Sequence, residues 1–174
     1  MQKNYNKPKT WQDFELLCEH LFCVLYGKAS RNGRQGQSQY GVDICGTLSE
    51  GGGYFGVQCK CKNNNHHSQI TEAEIDAELN KAIEFKPSLS LFIFATTTER
   101  DSKIQEYIRF KNDEFSQSHK MHVSIYFWDC IEEMMDFHKE VGDWYEGVVH
   151  SSYAIDIKAV VANKQLQPKF TSVS

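Results

Sequence analysis

The sequence has no apolar run near the roughly 20 residues that a membrane-spanning helix requires. Its first ten residues, MQKNYNKPKT, are polar and contain no apolar h-region of the kind that opens a secretory signal. The six cysteines, at 18, 23, 45, 59, 61 and 130, are therefore expected as reduced thiols in a cytoplasm, mostly filling small apolar core positions. There is no excess of positive charge. Lys and Arg number 19 against 23 Asp and Glu, a formal net charge of −4, which argues against a wholesale basic nucleic-acid binder. No internal repeat and no low-complexity tract is present. What remains is 174 residues, 40% hydrophobic and 24% charged, enough for one domain with a real core. The expected organisation is one domain over 1–150 and an extension or linker over 151–174.

Charge is unevenly spread. Residues 28–62 carry Lys28, Arg31, Arg34, Lys60 and Lys62 against Asp43 and Glu50. Residues 69–86 carry five acids against two cations. A basic stretch beside an acidic one suits a site that holds phosphates and cations together, and suits ordinary surface charge as well.

Hydrophobic spacing predicts a helix from Thr10 to Tyr26, with Thr10 and Asp13 resembling a capping box. Its apolar stripe is Phe14, Leu17, Cys18, Leu21, Phe22 and Leu25. Glu15 and Glu19 flank that stripe and are expected to border the core without entering it. Residues 27–41 are polar and Gly-rich, so a loop or irregular hairpin. YGVDICGTL (40–48) and YFGVQCKCK (54–62) read as an antiparallel strand pair around the turn SEGGG. A helix capped by Thr71 follows, then a central strand over 89–98. Next come a helix from Asp101, a strand over 122–128 and a helix capped by Asp129 with Glu132. VGDWYEG reads as a turn with aromatic packing, and AIDIKAVVANKQLQPKFTSVS as a short strand and tail. The fold class is α/β: a central mixed β-sheet flanked by helices.

The strand YFGVQCKCK is unusual, because it alternates core-type residues with an amide and two ammonium groups. Alternation puts Val57, Cys59 and Cys61 on one face and Gln58, Lys60 and Lys62 on the other. The neighbouring strand contributes Asp43, the one acid in GVDICG. Several readings are open at this point. Asp43 can be a strand-end acid and Lys60 a residue whose stem lies along an edge with its head in water. Cys59 and Cys61 with His66 and His67 offer four zinc-type ligands, although C-x-C followed by adjacent histidines departs from structural zinc spacing. Or Asp43, Gln58 and Lys60 form an active site.

Asp43 followed about fifteen residues later by Gln58-Cys59-Lys60 resembles the PD-(D/E)xK nuclease superfamily. Gln58 in place of the usual acid resembles its Mrr-like restriction-endonuclease branch. FELLCEHLF is similar to that family's first helix, GQSQYGVDICG with GVQCKCK to its core, and LFIFATTTERDSKIQEYI to the segment after it. The resemblance covers about residues 10–138. It implies a restriction-endonuclease-like fold and hydrolysis of DNA phosphodiester bonds with Mg²⁺ or Mn²⁺. It also implies a catalytic set of Asp43, Gln58, Lys60 and Glu15, with Glu19 as substitute for Glu15 on the same helix face. Implied partners are duplex DNA, a second copy of the chain, and a fused or associated sensor or NTPase domain in bacterial anti-phage defence.

The chemistry agrees with those residue types. Mg²⁺ prefers oxygen ligands, which Asp43, Gln58, the Cys59 carbonyl and Glu15 can supply. Lys60 would stand near the attacking water or the developing phosphorane charge. Lys28, Arg31, Arg34 and Lys62 are candidate nucleic-acid contacts, and Gln37 and Gln39 lie in the same loop. The competing class is a non-catalytic nucleic-acid-binding or oligomerisation module on the same fold, with Gln58 marking a lost metal site.

Overall fold

Thr10 accepts the backbone N–H of Asp13 at 3.1 Å and starts helix α1, Trp11–Tyr26. The computed structural model describes residues 2–34, 36–49, 51–62 and 68–149. Three strands follow α1: β1 (Ala29–Arg31), β2 (Ile44–Thr47) and β3 (Tyr54–Lys60). Helix α2 (Glu72–Ala82) leads to β4 (Leu89–Thr96), and α3 (Ser102–Ser118) to β5 (His122–Tyr126). Two helices, α4 (Trp128–Phe137) and α5 (Lys139–Val149), complete the described chain.

The five strands form one mixed sheet in the order β1-β2-β3-β4-β5. The pairs β1–β2 and β2–β3 are antiparallel, and the pairs β3–β4 and β4–β5 are parallel. Parallel neighbours need a crossover, and α2 and α3 are those crossovers. The architecture is therefore α/β, with helices on both faces of the sheet.

The two faces follow from strand alternation. Ile44, Phe55, Val57, Ile93 and Ala95 face Phe14, Leu17, Leu21 and Phe22 of α1 and the apolar sides of α4 and α5. Phe92, Phe94 and Val123 face Ile75 and Leu79 of α2 and Ile104, Ile108 and Phe115 of α3. Each fully buried Leu or Phe contributes about 1.5–3 kcal/mol. β4 is covered on both faces, which is why its sequence is a continuous apolar run.

Several local expectations are corrected. Of the two expectations for 27–41, the irregular hairpin stands and the plain loop does not, since residues 29–31 form β1 and pair antiparallel with β2 in the register Arg31↔Ile44. Phe127, not Asp129, is the N-cap of α4, and it makes no side-chain cap bond. Asp129 pairs instead with Arg100, and Glu132 accepts the backbone N–H of Tyr5 at 2.9 Å. VGDWYEG lies inside α5, where Val141, Trp144 and Tyr145 are buried at helical spacing. Gly142 suits that helix because an added Cβ would stand 2.4 Å from the Tyr5 hydroxyl and 2.8 Å from the Met135 carbonyl. Glu19 is 8% exposed, so it enters the core margin that it was expected only to border. Arg31 of β1 comes over it, with Nε 3.2 Å from Glu19 Oε2. All six cysteines are free thiols. No helix among the described residues is long and apolar enough to cross a membrane. His66, His67 and the segment 151–174 lie outside the described residues.

Candidate active site

The site begins where β2 starts beside β3. Ile44 faces Val57, and the N–H of Asp43 also donates to the carbonyl of Val57, at 2.8 Å. The residue just before β2 is thus still bonded to β3, which sets the Asp43 side chain beside that strand. Just upstream, Tyr40 and Gly41 both have left-handed backbones, with φ of 52° and 70°. That conformation is uncommon for a residue with a side chain such as Tyr40. Gly41 is suited twice over, because an added Cβ would lie 2.7 Å from Glu78 Oε2.

β3 runs on past the first residue of β2, and the Asp43 carboxylate fills the strip beside it. Its Oδ2 accepts the backbone N–H of Cys59 at 2.7 Å and the Gln58 amide Nε2 at 2.8 Å. With the amide nitrogen turned toward Asp43, the Gln58 carbonyl oxygen takes no part in that pair. Burial pushes the Asp43 carboxyl above its ordinary range, and Glu78 adds to the rise. The Cys59 N–H and the Lys60 charge oppose it.

Gln58 and Lys60 share the α2 face of the strand, as alternation requires. Lys60 does not run out to solvent. Its Nζ sits 2.6 Å from Glu78 Oε1, and both side chains are largely covered. Glu78 also meets Lys81, at 3.3 Å. One residue pair further along, Lys62 is ion-paired with Glu74, the acid that closes the capping box of Thr71. The Thr97 hydroxyl accepts the N–H of Lys62 and donates to its carbonyl, so the threonines that end β4 hold β3 past its last paired residue.

Glu15 approaches from α1 on the opposite face. Loss of solvent is the main cause that pushes its carboxyl up to about 7, the Asp43 charge adds to it, and Arg31 opposes. The Asp43 charge thus raises the Glu15 carboxyl across a small space, a repulsion that a cation would relieve.

Together Trp11, Glu15, Asp43, Gln58, Cys59, Lys60, Cys61 and Lys62 line one cleft of about 300 Å³. A larger cavity, about 990 Å³, lies between the N-terminal segment and α5, and contains none of the acids or cations of the candidate set. The small cleft is the place where the titratable groups converge.

Of the sequence-derived set, Asp43, Gln58, Cys59, Lys60, Glu15 and Lys62 are brought together. Arg31 stands beside the cleft, paired with Glu19. Arg34 is exposed in the loop before Asp43 and does not line the cleft. Lys28 lies at the other end of the strands, where its carbonyl accepts the N–H of Thr47. Thr47 is four positions along from Asp43, or about 13 Å in a strand. Cys59 and Cys61 pack on the α1 face. Burial pushes both thiols up, most strongly Cys59, which also contacts Cys18. Among the described residues no three His, Cys, Asp or Glu side chains stand close enough to hold a metal by themselves.

The residue that sequence reasoning missed is Glu78. It is 8% exposed, lies three residues after Ile75 and beside Leu79, and is the direct partner of Lys60. An acid on the edge of an apolar helical stripe is the signal that could have found it. No family model, no curated protein and no solved structure matches the chain.

Proposed function

We propose that the chain is a metal-dependent endonuclease of restriction-endonuclease-like fold, an Mrr-like member of the PD-(D/E)xK superfamily that hydrolyses DNA phosphodiester bonds. The observation that carries this reading is the convergence of Asp43, Gln58, Lys60 and Glu15 on one cleft, where β3 runs on past the first residue of β2. Duplex DNA as substrate, a homodimer with one site per strand, a sensor or NTPase partner, a cytoplasmic location and a role in antiviral defence belong to the same proposal.

The donor set fits a hard divalent cation. Asp43 and Glu15 bring carboxylates, and Gln58 and the Cys59 backbone bring neutral carbonyl oxygens. A bound Mg²⁺ or Mn²⁺ would supply Lewis acidity toward the phosphoryl oxygens and lower the pKa of a bound water. The protein's own contribution is positional. The Cys59 N–H and the Gln58 amide fix the Asp43 carboxylate. Glu78 holds the Lys60 ammonium at the cleft wall, where it can balance charge on an incoming phosphate.

One set of contacts favours the alternative of a non-catalytic nucleic-acid-binding or oligomerisation module. Asp43 Oδ2 is already satisfied by two N–H donors, and Lys60 is already neutralised by Glu78. The experiment that separates the two readings is plasmid cleavage across a titration of Mg²⁺ and Mn²⁺, with wild type, Asp43→Ala and Lys60→Ala side by side. The nuclease reading expects metal-dependent cleavage that both substitutions abolish. DNA binding without cleavage at any metal concentration leaves the alternative.

A further inference from the structure

Trp11 is the first residue of α1 and is 48% exposed, although the helix buries Phe14, Leu17 and Leu21 completely. It is thus a large aromatic that the core does not use. It also lines the candidate cleft, with Glu15, Asp43 and Lys62. Tyr40, Tyr54, Phe110 and Phe137 are exposed too, and none of them lines it. Trp11 and Glu15 are four residues apart on one helix, so the indole stands one turn from the acid.

A phosphate held by a cation at Asp43 and Glu15 would lie in the cleft that Trp11 also lines, with its nucleoside beside that ring. Bases stack on exposed aromatic side chains whatever their sequence, because each has a π-face. In a duplex those faces are covered by neighbouring bases, and a base must leave the stack to meet a protein ring. The cleft, of about 300 Å³, is at the small end of ligand sites and has room for one base beside the phosphate. We propose that Trp11 is a stacking platform for an unpaired nucleobase beside the bound phosphate, which makes single-stranded nucleic acid, or a strand locally opened at that point, the preferred substrate. This rests on the nuclease reading and narrows its substrate from duplex DNA to a strand with a free base.

The test uses the whole chain with Ca²⁺ present. Short oligothymidylate and an abasic strand of equal length are bound to wild type, Trp11→Ala, Trp11→Leu and Trp11→Phe. Melting curves check that each variant folds. Trp128 and Trp144 are buried, so fluorescence quenching on binding reports mainly on Trp11. The expected result is quenching by oligothymidylate and an affinity loss of about ten-fold or more in Trp11→Ala and Trp11→Leu, with Trp11→Phe retaining most of it. The abasic strand should bind wild type and Trp11→Ala alike. Equal binding of oligothymidylate by wild type and both aliphatic variants, or an equal loss for the abasic strand, overturns the stacking role and leaves the nuclease reading standing. If wild type binds neither strand at low salt and also fails to cleave DNA with Mg²⁺ or Mn²⁺, both readings fall together.

Discussion

Asp43 Oδ2 accepts the backbone N–H of Cys59 at 2.7 Å, a role that a longer β2 would have filled with its own carbonyl. The carboxylate is therefore both a structural acceptor and the main candidate ligand, and two substitutions divide those roles. Asp43→Ala leaves a covered N–H without a partner and should cost about 1–3 kcal/mol. Asp43→Asn keeps an acceptor oxygen and should recover most of that stability. If Asp43 only closes the strand end, Asn also restores whatever activity Ala removes. If it holds a cation, both variants are inactive while only Ala is destabilised. Denaturant melts and cleavage assays on the same preparations check this.

Lys60 and Glu78 are coupled in the same way. Alone, the sequence suggests that truncating Lys60 costs little stability, because a lysine on a strand ordinarily reaches water. The covered pair with Glu78 changes that expectation. Lys60→Ala should cost about 2 kcal/mol, less than a fully buried pair because Lys81 remains near Glu78. The double variant Lys60→Ala with Glu78→Ala should recover much of it, since no uncompensated acid is then left. Cleavage should stay absent in both. A double-mutant cycle with no coupling energy would show that the pair does not hold α2 to the strand.

Gln58→Glu tests the amide. Without metal it places a second carboxylate against Asp43, in place of the donor at 2.8 Å, and should destabilise the protein by about 1 kcal/mol or more. With Mn²⁺ the added charged oxygen should reverse the order. The measured quantity is the metal-induced rise in melting temperature, expected to be larger in Gln58→Glu than in wild type. An equal rise in both would remove Gln58 from the proposed metal site.

The spacing of Asp43 and Gln58 was legible because a short antiparallel turn leaves little freedom of register and alternation fixes which side chains share a face. Glu78 was not, because its burial depends on a lysine eighteen residues earlier. β1 was hidden for a different reason. Ala-Ser-Arg carries no alternation, and its pairing with β2 comes from the tertiary course of the loop. α5 was read as a turn because Gly142 and adjacent aromatics interrupt the pattern, although Val141, Trp144, Tyr145 and Val148 recur at helical spacing. The left-handed Tyr40 has no signal in residue type at all.

Glu15 is the group expected to make the site pH-dependent. Its carboxyl is pushed up to about 7, above the ordinary value of 4.5, chiefly by loss of solvent and next by the Asp43 charge. The folded protein therefore holds this proton more tightly than the unfolded chain. The stability that the protonated group contributes is complete below about pH 4.5 and is lost as pH rises through about 7. Glu15→Gln should abolish that slope. The variant should match wild type near pH 4.5 and exceed it at pH 8 by about 1 kcal/mol, a figure discounted because Glu15 is only half-buried. A divalent cation competes with the same proton, so the affinity of wild type for Mn²⁺ should climb between pH 6 and 8 and level off above. In Glu15→Gln it should be weaker and nearly flat over that range, apart from any contribution of Asp43. Calorimetric titration of Mn²⁺ at several pH values, with melting curves in the same buffers, measures both effects. A steep pH dependence that survives in Glu15→Gln would move the titrating group to another residue and take Glu15 out of the cation site.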